Sequence, residues 1–541
     1  ASGSVLGTGP VTVNSGSAAY PVASMTIANA ITLNGGELHI GGANSHQLIC
    51  SGPVNVTANN SLIQADNGTG YSSGYAYSSG MFLSGGLDMG SGDYTLNVYC
   101  GSYSIDINGP ITGANGTIIN TATTLYIWGT NTYAGTIRAS ASTSVVNFKQ
   151  YGAQFATLDL NSADAGSFSF SAYPITIGGL MGSRNQALGS GAVSIGNNNS
   201  STTYGGVLSG SGSLTKIGAG TLTLTGTNIY TGNTTNSGGT LALSGTGSIA
   251  TTPLLALITN TVFDVSALTT PGYTNPATRT LVFNIDKTGT TLSQGQLNLG
   301  AVNLNCGGTL AVAASGSGTL VSGDSFPLVL TNGAPGQLSG WFSSVTLPML
   351  GSGLAWDTND LATSGVLDVY TFTTTPLTAS TLINTTATIP ASKLASHSSS
   401  AKAASVYPTG WTATVSGTTL GTVAFNGSGD LVYTANGTAG TDNFTVTLYD
   451  GHGSQTLAVT VTVSQANVGP SITPIAGAAG SFTASGIPGT IYTVQYSTSV
   501  DGPWSDSNPA TATADSHGLI TYTDNVSVSG HGGSVFYRLK Q

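Results

Sequence analysis

Residues 206–245 read GVLSGSGSLTKIGAGTLTLTGTNIYTGNTTNSGGTLALSG. Leu222 and Leu224, then Leu241 and Leu243, fall on one face, while Thr221, Thr223 and Ala242 fall on the other. That alternation has period two, the mark of half-buried strands. Glycine and asparagine separate the strands at Gly218-Ala219-Gly220, Gly226-Thr227-Asn228 and Ser237-Gly238-Gly239, where turns favour residues that tolerate a positive φ. Leu222/Leu224 and Leu241/Leu243 are 19 residues apart, the length of one coil of a parallel β-helix. Such coils stack at about 4.8 Å, and no coil buries its apolar row without neighbours.

The stretch resembles the autotransporter-associated β-strand repeat, or passenger-associated transport repeat. The resemblance rests on Gly210, Gly212, Leu214, Lys216, Gly218, Gly220, Leu222 and Leu224, followed by Gly226, Asn228, Tyr230, Gly232, Thr234, Gly239 and Leu241. It implies a right-handed parallel β-helix, secreted or displayed on the surface of a Gram-negative bacterium, and a scaffold without catalysis. Within it Lys216 is expected to be an exposed strand residue.

The composition is that of an all-β protein. Of 541 residues 77 are glycine and only 6% are charged, far below the roughly 25% of ordinary globular proteins. Glu37 is the one glutamate among 20 acidic residues, so the formers of exposed helices are nearly missing. With 39% hydrophobic residues and positive mean hydropathy, the chain departs from the composition of disordered segments. A net charge of −10 with 10 basic residues argues against nucleic acid and against an anionic membrane surface. No apolar run reaches the length of a membrane-spanning helix. The start at Ala1-Ser2-Gly3-Ser4 is expected to be a mature end left after export, without the features of a signal peptide, and the end at Arg538–Gln541 is expected to lack a membrane barrel.

Weaker versions of the rhythm run through residues 1–205, as in Gly52-Pro53-Val54-Asn55-Val56 and Leu125-Tyr126-Ile127-Trp128. The Tyr-rich stretches Tyr71 to Tyr77 and Tyr99 to Tyr103 read as loops out of the coil. The β-helix is expected over 1–255, with the strong repeat at 206–245, and a continuation and cap over 256–375, where Trp341, Phe342 and Trp356 are suited to cover the last coil. Residues 376–466 contain Gly440-Thr441-Asp442-Asn443-Phe444-Thr445, then Asp450-Gly451-His452-Gly453, and resemble a cadherin-like or immunoglobulin-like β-sandwich. Asp442 and Asp450 are read there as turn residues. Residues 467–541, with alternating Tyr492, Val494 and Tyr496, resemble a fibronectin-III-like sandwich. The fold class is therefore all-β, a right-handed parallel β-helix followed by two small β-sandwich domains.

Chemistry is hard to find. Cys50, Cys100 and Cys306 are odd in number; Cys50 and Cys100 read either as a disulfide between coils or as buried small apolar side chains. Glycoside hydrolysis needs two carboxyl groups about 5–9.5 Å apart; the local candidates Asp88/Asp93, Asp159/Asp164 and Asp357/Asp360 lie in no recognisable hydrolase or lyase motif. Histidines 39, 46, 397, 452, 517 and 531 have no metal-ligand spacing. No catalytic residue, cofactor or metal is expected. The leading reading is a non-enzymatic extracellular structural protein that assembles with itself, head to tail, into a cell-surface fibre. The alternative is a monomeric surface adhesin for surface glycans, matrix or partner cells, and a polysaccharide-degrading β-helix enzyme comes third.

Overall fold

A computed structural model describes residues 6–21, 23–40, 46–65, 80–101, 103–149, 153–170, 174–270, 272–333, 337–340, 342–371, 373–396, 415–416, 420–449, 454–465, 472–475, 479–526 and 535–541. It divides into two compact units, residues 1–371 and 372–541.

The first unit is a parallel β-helix. Its second face is one continuous sheet of 14 strands, from Ala18–Ala19 to Val329–Thr331. The first face holds five strands, Val11–Asn14 to Ile111–Thr112, and resumes at Ile175–Ile177. The third runs from Met25–Ile27 to Ser167–Phe170 and passes through short pairs to Leu338–Gly340. Register is set by the inward row. Leu222 stands against Leu241 and Leu224 against Leu243, as the 19-residue spacing predicts. Leu222, Leu241, Phe263, Leu297 and Val329 form one buried ladder across five coils. Leu96, Ile118, Ile137, Leu158 and Leu180 form another. These rows make one core that runs the length of the unit.

Stacking at this spacing leaves no room at some corners. A Cβ on Gly226 would lie 2.3 Å from the Gly206 carbonyl oxygen, and one on Gly232 would lie 2.3 Å from that of Gly212. Neither glycine needs a positive φ, so the demand there is steric.

The last coil is closed by a different architecture. Ser325–Pro327, Val366–Thr371 and Leu354–Asp357 pair antiparallel, and a short helix, Thr358–Ser364, follows. Asp357 sits at the helix N-cap, where its Oδ1 accepts the Asp360 N–H at 3.4 Å. Leu361 of that helix lines a small apolar pocket with Phe283, Leu304, Val329, Leu338 and Phe342. Phe342 and Trp356 are both buried in the core, and the Trp356 ring lies 6.2 Å from that of Phe326. Trp341 lies outside the described residues. The aromatic cover is thus joined by a helix that the composition does not foretell.

The second unit contains two pairs of small sheets. Gly440–Tyr449 and Ser454–Ser464 form a long antiparallel hairpin, to which Leu377–Leu382 adds in parallel. Opposite stand Thr386–Ile389, Leu431–Ala435 and Gly421–Phe425. Tyr433 and Phe444 stack in this core with centroids 5.9 Å apart. Further on, Ser481–Ser485 pairs with Ile472–Pro474 and Leu519–Thr523, and Ile491–Ser497 pairs with Ser505–Thr513 and Phe536–Lys540. Tyr492 and Val494 are buried there, but Tyr496 is only half-buried and Ser497 takes the inward place. A register shift between Thr493 and Gln495 accounts for this, because a one-residue slip reverses the face of every later side chain.

Candidate functional site

Four polar residues of the 206–245 repeat, Lys216, Asn228, Thr234 and Asn236, are buried, where they hold coils together. Lys216 is the clearest correction to the sequence reading. It follows Leu214 by two positions, shares its inward parity, and is only 1% exposed. Its Nζ donates to the carbonyl oxygens of Ile217 at 2.7 Å, Gly218 at 2.9 Å and Gly238 at 2.9 Å. Three donors meet three acceptors, one of them on the next coil. Burial pulls the ammonium down to about 8, so it stays charged at neutral pH.

Asn228 ties three successive coils. Its Oδ1 accepts the Leu208 N–H at 2.8 Å, and its Nδ2 donates to the carbonyls of Gly226 at 2.9 Å and Ser248 at 3.0 Å. Tyr230 is fully buried with its hydroxyl 2.6 Å from Thr234 Oγ1. Thr234 Oγ1 bonds Thr252 Oγ1, which donates in turn to the Gly232 carbonyl at 2.7 Å. A second copy of this corner occurs at Gly129-Thr130-Asn131-Thr132-Tyr133-Ala134-Gly135, beside Gly226-Thr227-Asn228-Ile229-Tyr230-Thr231-Gly232. Asn131 Oδ1 accepts the Ile111 N–H, and the Tyr133 hydroxyl donates to the Gly116 carbonyl at 2.6 Å. The spacing of glycine, asparagine and tyrosine was the signal for it.

Two further cations are interior. Arg279 is 1% exposed and donates to the carbonyls of Thr252 and Ile249 and to the Tyr273 hydroxyl. Lys287 forms a buried ion pair with Asp324 at 2.7 Å. With Lys216, three of the 10 basic residues are inside the β-helix.

The carboxylate pairs have structural partners. Asp164 takes a bidentate contact from Arg138 at 2.8 and 2.9 Å, and Asn161 Nδ2 bridges Asp164 and Asp159. Asp88 accepts the Gly90 N–H and the Thr112 hydroxyl. Asp357 caps the helix that contains Asp360. At least one carboxylate of each pair is thus held by a structural partner.

Cys50 and Cys100 are buried free thiols, and burial pushes both up to about 12. In the structure the two are not bonded to each other and pack as small apolar side chains. Cys306 is half-buried and pushed up to about 11. Asp442 is not a turn residue: it lies buried in the strand Gly440–Tyr449 and accepts the Leu420 N–H at 3.0 Å and the Tyr433 hydroxyl at 2.8 Å. Asp450 and the Tyr71 to Tyr77 stretch lie outside the described residues. His39 packs edge-on against Tyr20 at 4.4 Å, and His517 lies beside Ser516. Among the described residues no group of three or more His, Cys, Asp or Glu could hold a metal ion, and no helix is long and apolar enough to cross a membrane.

Residues 214–243 match the family model of the passenger-associated-transport-repeat. No curated protein matches the chain. The repeat is that of autotransporter passenger domains, and it marks a surface-exposed or extracellular protein of Gram-negative bacteria.

Proposed function

We propose that the protein is a non-catalytic extracellular structural protein that assembles head to tail with copies of itself into a cell-surface fibre, after export and removal of a signal peptide. The observation that carries the non-catalytic part is the use of the repeat's own polar groups. Lys216, Asn228 and Thr234 are used in bonds between coils and Tyr230 in a bond to Thr234, which supports a scaffold role for the matched segment. Sheet edges supply the chemistry of assembly, since unpaired N–H and C=O groups template another strand. The helix Thr358–Ser364 covers the last coil of the first unit, and the second unit has sheet edges of its own. There, residues 376–466 are read as a cadherin-like or immunoglobulin-like sandwich and 467–541 as a fibronectin-III-like one. Low charge favours close approach of copies.

Negative-stain electron microscopy of protein released from the cell surface without denaturant tests this. Regular filaments with one axial repeat are expected. Separate single-chain particles at every concentration overturn the fibre and leave the monomeric adhesin for surface glycans or matrix.

A further inference from the structure

The third face of the β-helix carries a patch whose chemistry the coil packing does not use. Outward positions on three successive strands, Ser104–Ile107, Thr124–Ile127 and Val145–Phe148, place Asp106, Tyr126 and Asn147 in one row. Trp128 follows Tyr126 beyond its strand and is 46% exposed, with ring centroids 6.5 Å apart. The Lys149 ammonium lies 5.4 Å from the Tyr126 centroid and 5.2 Å from that of Trp128. Phe82 stands against Asp106 on the preceding strand.

Two acceptors flank this aromatic pair without a donor. Asp106 Oδ1 and Asn147 Oδ1 are each shielded from solvent and have no hydrogen-bond partner, although Ser104 bonds the Asp106 carboxyl group. Orphaned acceptors are unusual in folded proteins and ask for an explanation. They stand on strands two spacings apart, about 9–10 Å, with the Tyr126 ring between them. That is the span of one to two pyranose rings. The C–H face of a sugar stacks on an aromatic ring, and its hydroxyls are donors suited to two orphan oxygens. Lys149, over both rings and attracted by the Asp106 charge, must swing aside for a sugar to stack there.

We infer that Trp128, Tyr126, Asp106 and Asn147 form a binding site for a neutral hexopyranosyl polysaccharide on the third face of the β-helix. Acidic glycans are disfavoured by Asp106 and by the net charge of −10. The site goes beyond the scaffold reading and does not depend on assembly, since a monomer and a fibre both present it.

Affinity electrophoresis of the full chain, through gels holding a glucan, a mannan or a galactan, tests the site. Trp128→Ala and Asn147→Ala serve as variants and Tyr20→Ala as an exposed aromatic control. At least one neutral polysaccharide is expected to retard the protein. Affinity should fall about fivefold to tenfold in Trp128→Ala, and it should also fall in Asn147→Ala. Tyr20→Ala should bind as the native chain does, and all variants should keep the native melting temperature. Three results overturn the inference: no retardation by any neutral polysaccharide, equal retardation of Trp128→Ala and the native chain, or retardation only by an acidic polysaccharide such as alginate.

Discussion

Replacing Lys216 by methionine removes a buried charge but keeps the length of the side chain, so it isolates the three carbonyl contacts. The oxygens of Ile217, Gly218 and Gly238 lose their donor at 2.7–2.9 Å. A buried polar group left unpaired costs about 1–3 kcal/mol, and the substitution leaves three such carbonyls but no buried charge. The gain from no longer burying an ammonium offsets part of this. We expect Lys216→Met to destabilise its coils by about 3 kcal/mol. Solenoid stability is a sum of nearest-neighbour terms, so the loss should be local. Hydrogen exchange followed by mass spectrometry on the full chain reads it directly. Peptides from 214–243 should exchange faster, while peptides from 95–139 and from the second unit should not. A change below about 1 kcal/mol in 214–243 would refute the reasoning.

The same lysine predicts a pH dependence. Its folded-state value, about 8, lies below its ordinary 10.5. Between those values the unfolded chain holds more protons, so stability rises with pH in that window and the full penalty is present below pH 8. The fall from 10.5 to about 8 corresponds to about 3 kcal/mol at most. The stability difference between native protein and Lys216→Met in urea should therefore widen by about 1 kcal/mol per pH unit from pH 8 to 9.5. Buried Tyr133, Tyr204 and Tyr230 are pushed up by burial and act with the opposite sign above about pH 10, but equally in both proteins. A constant difference across that range would show that the ammonium is not desolvated.

Other substitutions probe the coil contacts. Asn228→Ala and Asn131→Ala should each lower local stability by about 2–4 kcal/mol, and near-equal exchange effects would establish that the two corners do the same work. Gly232→Ala should disrupt its corner, since the new Cβ would lie 2.3 Å from the Gly212 oxygen; unchanged solubility and melting would contradict that packing. Cys50 and Cys100 should resist a thiol reagent at pH 8 in the native state and react fully in denaturant, in reduced and non-reduced samples alike. A mass lower by two hydrogens would instead reveal a disulfide.

The fold was legible because the leucine row and its 19-residue step are fixed by sequence alone, and Leu222 meets Leu241 where the spacing puts it. Interior charge was also written there, but was read by residue type instead of by parity. Lys216 lies two positions after Leu214, and Lys287 follows Leu281, Phe283 and Ile285 on the same side of one strand. Period two places both inside, and assigning Lys216 to solvent by its residue type displaced that reading. What was not legible depends on chain segments far apart. Asp442 finds Leu420 and Tyr433 only after its sandwich closes, and the Asp106, Tyr126 and Asn147 row exists only once three coils are in register.

The inward cations also explain how so plain a core keeps its register. Leucine rows are interchangeable, and a coil of Thr and Leu could slip by one neighbour with little loss of buried area. Lys216 reaching Gly238, Asn228 reaching both Leu208 and Ser248, and Arg279 reaching Ile249 are not interchangeable. A slipped coil would leave each of these groups buried without its carbonyl or N–H. The cost of such an orphan is larger than the apolar difference between neighbouring leucine positions. With the central β-helix so poor in charge, the few charges it has are best placed where a wrong pairing costs most.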